Sequence, residues 1–195
     1  VAGGPLVATF PSVEHPLWQG VDALIQGDGE RACVTWMEAE QEGPTLLFGG
    51  DAADLDGDDW GEWWEPLVNY VRPAEYWPNM RVPGMHISAA RGCTRRCTFC
   101  YLNSHAMGTR FRYASAEALF ARLEHMASTF SMSGFYFVDD CFIDRTGARL
   151  SRFLELCTDA GSPFRLGCEF QLSYLAEHAL LDRMYTAGFR NFYVG

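Results

Sequence analysis

From residue 85 onward the sequence alternates short apolar runs with amphipathic stretches, and this alternation restricts the chain to parallel βα units. Met85–Ala89 reads as a strand that leads directly into Arg91-Gly92-Cys93. Ser115 is a good N-cap for a helix to about Phe130, with Glu117 in the first turn, where an acidic side chain meets the positive helix end. Phe135–Val138 is the second strand and ends in Asp139-Asp140. A helix is expected from about Thr146 to Ala160, stopped by Gly161-Ser162-Pro163. Phe164–Phe170 is the third strand, Ala176–Ala187 a helix with Gly188 at its C-terminus, and Phe189–Val194 the fourth strand. A parallel sheet stopping there would leave its last strand without a covering helix, so the chain is expected to be a piece of a longer protein.

The first 50 or so residues read as the tail of another α/β unit. Val1–Pro5 looks like a strand end running into a glycine turn. Val21–Gln26 is a short buried-strand pattern broken at Gly27-Asp28-Gly29; Glu30 then opens a helix to about Gln41, and Thr45–Phe48 is a further strand. Three segments follow: 1–50 as the C-terminal part of one domain, 51–84 as an acidic, tryptophan-rich linker, and 85–195 as a second α/β domain. Asp51–Glu65 holds seven acidic residues and no basic one. Its register excludes an EF-hand calcium loop: with Gly57 at the sixth position, Ala52 and Trp63 fall where oxygen ligands are required. Trp60, Trp63, Trp64 and Trp77 are read as packing anchors of this connector.

The formal net charge of −10 argues against a nucleic-acid binder, whose surface must neutralise phosphates. All fifteen basic residues are arginine, and six of them lie between Arg81 and Arg112, a segment with no Asp or Glu. No apolar stretch approaches the roughly 20 residues of a membrane span. Seven cysteines form no disulfide framework, and four of them (Cys33, Cys141, Cys157, Cys168) are scattered as small buried hydrophobes. A reducing cytoplasm is the expected compartment.

The other three cysteines carry the chemistry. Cys93-x3-Cys97-x2-Cys100 places three thiolates within eight residues, enough to ligate three irons of a [4Fe-4S] cubane. The missing fourth ligand keeps one iron open to a substrate, the logic of an open catalytic metal position. Gly92 gives the loop freedom to wrap a cluster, and Arg91, Arg95 and Arg96 offset part of the cluster's negative charge. Zinc is the alternative, with His105 completing a Cys3His set in a binding module. The position of the triad after a strand in a βα repeat, at the ligand-binding edge of a parallel sheet, favours iron–sulfur.

Arg91-Gly-Cys-Thr-Arg-Arg-Cys-Thr-Phe-Cys100 resembles the signature of the radical S-adenosylmethionine (SAM) superfamily, with Phe99 as its aromatic residue. The resemblance implies a partial (β/α)6, TIM-like barrel, of which 85–195 would be the first four βα units. It implies SAM chelating the open iron and, after one-electron reduction by a donor such as flavodoxin or ferredoxin, releasing a 5′-deoxyadenosyl radical. Phe137-Val-Asp-Asp-Cys-Phe142 resembles the Phe-x-Asp-Asp-x-Phe element of radical SAM enzymes with a cobalamin-binding domain, which implies that Asp139 or Asp140 receives the SAM amino group. The plainer reading is that one of the two caps the next helix. Gly3-Gly4 and Val21–Glu30 resemble the end of that Rossmann-like cobalamin-binding domain, implying that Gly3 and Gly4 leave room for the cofactor's nucleotide tail. The function implied is a cobalamin-dependent methyltransferase acting on an unactivated centre of a small molecule or peptide. The alternatives are a cobalamin-type oxidoreductase or cyclase of the same architecture, and a methylthiotransferase; the latter is disfavoured because Cys33 is the only cysteine before the triad. The family's Gly-x-Glu-Ser element would begin at Gly195, so this piece is expected to be inactive alone.

Overall fold

The computed structural model describes residues 1–39, 43–50, 84–100, 102, 111–144 and 146–195. The linker 51–83 with its tryptophans, and His105, lie outside them. The fold is mixed α/β with parallel sheets, and the chain divides into two compact units, 1–54 with 95–110 and 55–94 with 111–195.

In the first unit, strands β1 (Ala2–Gly3), β2 (Ala23–Gly27) and β3 (Thr45–Gly50) form a parallel sheet in the order β1-β2-β3. Helix α1 (Pro5–Thr9) follows β1, and α2 (Gly29–Glu38) joins β2 to β3. Gly4, at φ 84°, turns the chain out of β1. Pro5 then opens α1 at a position where its missing N–H would have had no helical partner anyway. Ala23, Leu24 and Ile25 of β2 are buried, and Val7 and Trp18 pack with Leu24. The Trp18 indole N–H donates to the Phe10 carbonyl at 2.8 Å, which lets a polar ring edge sit in that core. α1 is shorter than two turns and shows no helical period, which is why the sequence pattern did not display it.

The second unit runs β4 (Gly84–Ile87), β5 (Ala90–Arg91), β6 (Arg112–Tyr113), α3 (Ala116–Phe130), β7 (Gly134–Phe137), α4 (Ala148–Asp159), β8 (Arg165–Phe170), α5 (His178–Thr186) and β9 (Phe189–Val194). Four strands form a parallel sheet in chain order, β4-β7-β8-β9. Register aligns Met85, Phe135, Leu166 and Phe189 in one row across all four strands, each of them buried. Leu119, Leu123 and Met126 of α3 cover this layer together with Leu150, Phe153, Leu154 and Cys157 of α4. Both sets recur at i, i+3/i+4 and i+7, the spacing of one helix face.

All four expected strands of this unit and its three helices form, with ends shifted by a few residues. The Ser115 hydroxyl caps α3 by accepting the Ala118 N–H at 3.2 Å. α4 starts at Ala148 rather than at Thr146 because side chains take over the first turn. Thr146 donates to Asp144 at 2.7 Å, and the Leu150 N–H donates to the other Asp144 oxygen at 3.3 Å. Residues 172–176 form a 3-10 turn ahead of α5.

Gly188 ends α5 at φ 110°, and a side chain there would run into the Phe164 carbonyl. Gly188→Ala is therefore expected to lower stability by roughly 2–4 kcal/mol, as strained backbone and a clash add. An unchanged urea midpoint would refute that account.

Cys141, Cys157 and Cys168 are buried and Cys33 is half-buried, all as free thiols. Burial pushes the Cys157 thiol up to about 12, so it is inert as a nucleophile. Among the described residues no helix is long and apolar enough to cross a membrane.

Candidate functional site at the cysteine excursion

β4 ends at Ile87, and the chain then pairs Ala90-Arg91 antiparallel with Arg112-Tyr113. The cysteine-bearing segment is the excursion between these two short strands. Its base is closed by the ladder and by the Ala114 N–H donating to the Ala89 carbonyl at 2.9 Å. Two-residue strands carry no readable period, so the sequence showed a loop here and not its staple.

Asp139, two residues after β7, secures the start of the excursion. Its Oδ1 accepts from the Ala89 N–H at 2.7 Å, the Ala90 N–H at 2.9 Å and the Ser88 hydroxyl at 3.0 Å. Its Oδ2 is buried and has no hydrogen-bond partner among the described residues. With the residue 2% exposed, burial pushes the carboxyl up to about 6. The bonds from Ala90, Ala89 and Ser88 and the charge of Arg149 pull the other way. Asp140 is exposed. In the first turn of α4 the Leu150 N–H is taken by Asp144, while the bonded oxygen of Asp139 serves Ser88, Ala89 and Ala90.

Arg149, in the first turn of α4, is 7% exposed. Its Nε donates to the Ala114 carbonyl at 2.7 Å and its two terminal nitrogens to Phe142 at 2.9 Å and Ala89 at 3.2 Å. The guanidinium also lies 5.2 Å from the Tyr113 and Phe142 ring centres. Arg149 belongs to none of the sequence motifs. The available signal was a cation four residues before Phe153, at the edge of an apolar helix face.

Of the three cysteines, Cys93 groups with the second unit and is half-buried. Cys97, exposed, and Cys100, half-buried, group with the first, and the Cys100 N–H donates to the Cys97 carbonyl at 3.0 Å. Phe99 is 92% exposed. Among the described residues no three His, Cys, Asp or Glu side chains lie close enough to hold one metal ion. A cubane takes one thiolate on each of three irons, so its ligands stand wider apart than those of a single ion. The donor set suits it: three cysteines outside any disulfide, on one non-helical segment flanked by arginines. For an ammonium group, Asp139 Oδ2, without a partner among the described residues, would be a buried acceptor. At Gly4 an added Cβ would meet no atom within 4 Å, leaving open space beside the turn.

A cavity of about 120 Å3 opens beyond the ends of β7, β8 and β9, lined among others by Asp140, Cys141, Glu169, Gln171 and Tyr174. The Cys141 thiol donates to the Ile143 carbonyl at 3.2 Å and lies 3.6 Å from the Thr94 hydroxyl, next to Cys93. The carboxyl ends of parallel strands are where such sheets bind ligands.

The chain matches no protein-family model, no curated protein and no solved structure.

Proposed function

We propose that this chain belongs to a radical SAM enzyme of the cobalamin-binding branch. One observation carries the reading: a Cys-x3-Cys-x2-Cys excursion is stapled at the end of β4, and at its base lies a buried carboxylate with one oxygen unpartnered among the described residues. Cys93, Cys97 and Cys100 would hold a [4Fe-4S] cluster, and Asp139 would receive the ammonium group of SAM. When bound, cluster and SAM together supply a carbon-centred radical; the protein supplies position and exclusion of water. Asp139 has two tasks, one for each oxygen: Oδ1 orders the backbone before the cysteines, and Oδ2 offers charge to the ligand. The cavity lined by Asp140, Cys141 and Glu169 offers space for a substrate.

The sequential order of four parallel strands with helices between them supports a partial barrel for the second unit. The glycine turn after β1 and the parallel β1-β2-β3 sheet support a cobalamin-binding remnant in the first. Cobalamin-dependent methyl transfer is the reaction this pairing suits best, on a small molecule or peptide, with a flavodoxin-like or ferredoxin-like electron donor. The acidic balance speaks against a nucleic-acid substrate.

Anaerobic reconstitution with iron and sulfide tests the reading. Close to four irons and four labile sulfides per chain are expected, with loading abolished in each of Cys93→Ala, Cys97→Ala and Cys100→Ala. Zinc without labile sulfide would end it. Transfer of label from the SAM methyl group into product separates methyl transfer from other radical reactions.

A further inference from the structure

We infer that Arg149 is a positioning residue: it holds the base of the cysteine excursion and the Asp139 carboxylate in the geometry that receives SAM. The inference rests on the radical SAM reading and extends it to a residue outside the cysteine and aspartate motifs.

Arg149 joins backbone segments far apart in the chain. Ala89 precedes the excursion, Ala114 follows it, and Phe142 follows Asp139-Asp140; each gives its carbonyl to the same guanidinium. The Ala89 carbonyl accepts a second bond from the Ala114 N–H, so the two ends of the excursion meet at the atom Arg149 grips. The Ala89 N–H in turn donates to Asp139. The peptide units on either side of Ala89 are thus held by a carboxylate through one N–H and by a cation through one carbonyl. Planarity of the guanidinium fixes the directions of its bonds, which a flexible ammonium would not do. Tyr113 and Phe142 near the guanidinium favour the cation in a place that is otherwise nearly dry. A buried arginine costs desolvation energy and a hydrophobic replacement often improves stability, so stability alone does not account for it.

The test compares Arg149→Met, Arg149→Lys and Phe153→Leu with wild type in the anaerobically reconstituted full chain. Phe153 lies in the same helix and core, with its ring packed against Phe137 and Phe142, so it controls for stability. Three quantities are read: iron and sulfide per chain, SAM affinity by calorimetry, and the change in the reduced cluster's electron paramagnetic resonance on adding SAM. Arg149→Met should weaken SAM binding by roughly 10- to 100-fold and blunt the spectral change. Arg149→Lys should recover only part of this, and Phe153→Leu should lose melting temperature while binding SAM normally. Wild-type affinity and spectra in Arg149→Lys or Arg149→Met would overturn the positioning role. So would failure of both to fold while Phe153→Leu folds, because Arg149 would then be a folding residue. If wild type itself takes up no cluster, the radical SAM reading falls first, and the inference with it.

Discussion

Asp139→Asn is expected to keep the fold and lose SAM, whereas Asp139→Ala is expected to damage both. Asparagine presents a carbonyl oxygen to the same three donors, Ala89, Ala90 and Ser88, that Oδ1 now serves. Alanine leaves two buried N–H groups without an acceptor. Each unmet donor costs about 1–3 kcal/mol, so Asp139→Ala should be roughly 2–4 kcal/mol less stable than Asp139→Asn. The ligand responds differently. A charge-assisted bond contributes about 1.5–3 kcal/mol, so either variant should bind SAM roughly 10- to 100-fold more weakly. Calorimetric titration beside urea unfolding separates the two effects. Wild-type SAM affinity in Asp139→Asn would remove Asp139 from the binding site.

The same carboxylate sets a pH dependence whose sign follows from its shift. Its folded-state value of about 6 lies above the ordinary 3.8. The folded chain therefore holds the proton more tightly than the unfolded chain between those values. Stability from this group is present below pH 4 and falls as pH rises towards 6. Above pH 6 the buried charge costs the ligand-free protein on the order of 3 kcal/mol. Asp139→Asn should accordingly gain on wild type at pH 7.5 by about 1–2 kcal/mol, since its own buried amide offsets part of the relief. That gain should vanish by pH 4. A difference independent of pH would show that the Asp139 carboxyl is not the source. In the proposed enzyme the cost is offset when an ammonium group meets Oδ2, so SAM should bind more tightly above pH 6 than below it.

Phe137→Ala is expected to have the largest effect on stability, a loss of about 3–5 kcal/mol. The ring is fully buried and stacks on Phe142 at 4.4 Å, with Phe153 at 6.0 Å and Phe189 at 6.2 Å from its centre. Removing it opens a void between the β7 strand and α4, and packed neighbours collapse into such a void only in part. Against a total stability of typically 5–15 kcal/mol the loss is severe. Phe99→Ala makes the contrast: the ring is 92% exposed, and its loss should leave the stability from urea unfolding within about 0.5 kcal/mol of wild type. A Phe137→Ala loss below 1 kcal/mol would mean that the aromatic cluster is not the centre of this core.

Local chemistry determined much of this protein. The Ser115 cap, the left-handed Gly188 and the alternation of apolar strands with amphipathic helices act over a few residues, so the order of elements could be read from residue types alone. The spacing of Cys93, Cys97 and Cys100 is local in the same sense, and it named the candidate chemistry. The tertiary structure decided the rest. That Asp139 braces Ala89 and Ala90, some fifty residues earlier in the chain, depends on β4 and β7 pairing in parallel. Likewise, the convergence of the Ala89, Ala114 and Phe142 carbonyls on Arg149 depends on where α4 packs. Backbone carbonyls are the same in every residue, so no residue pattern marks which of them will accept. Only the folded chain brings those acceptors to one guanidinium.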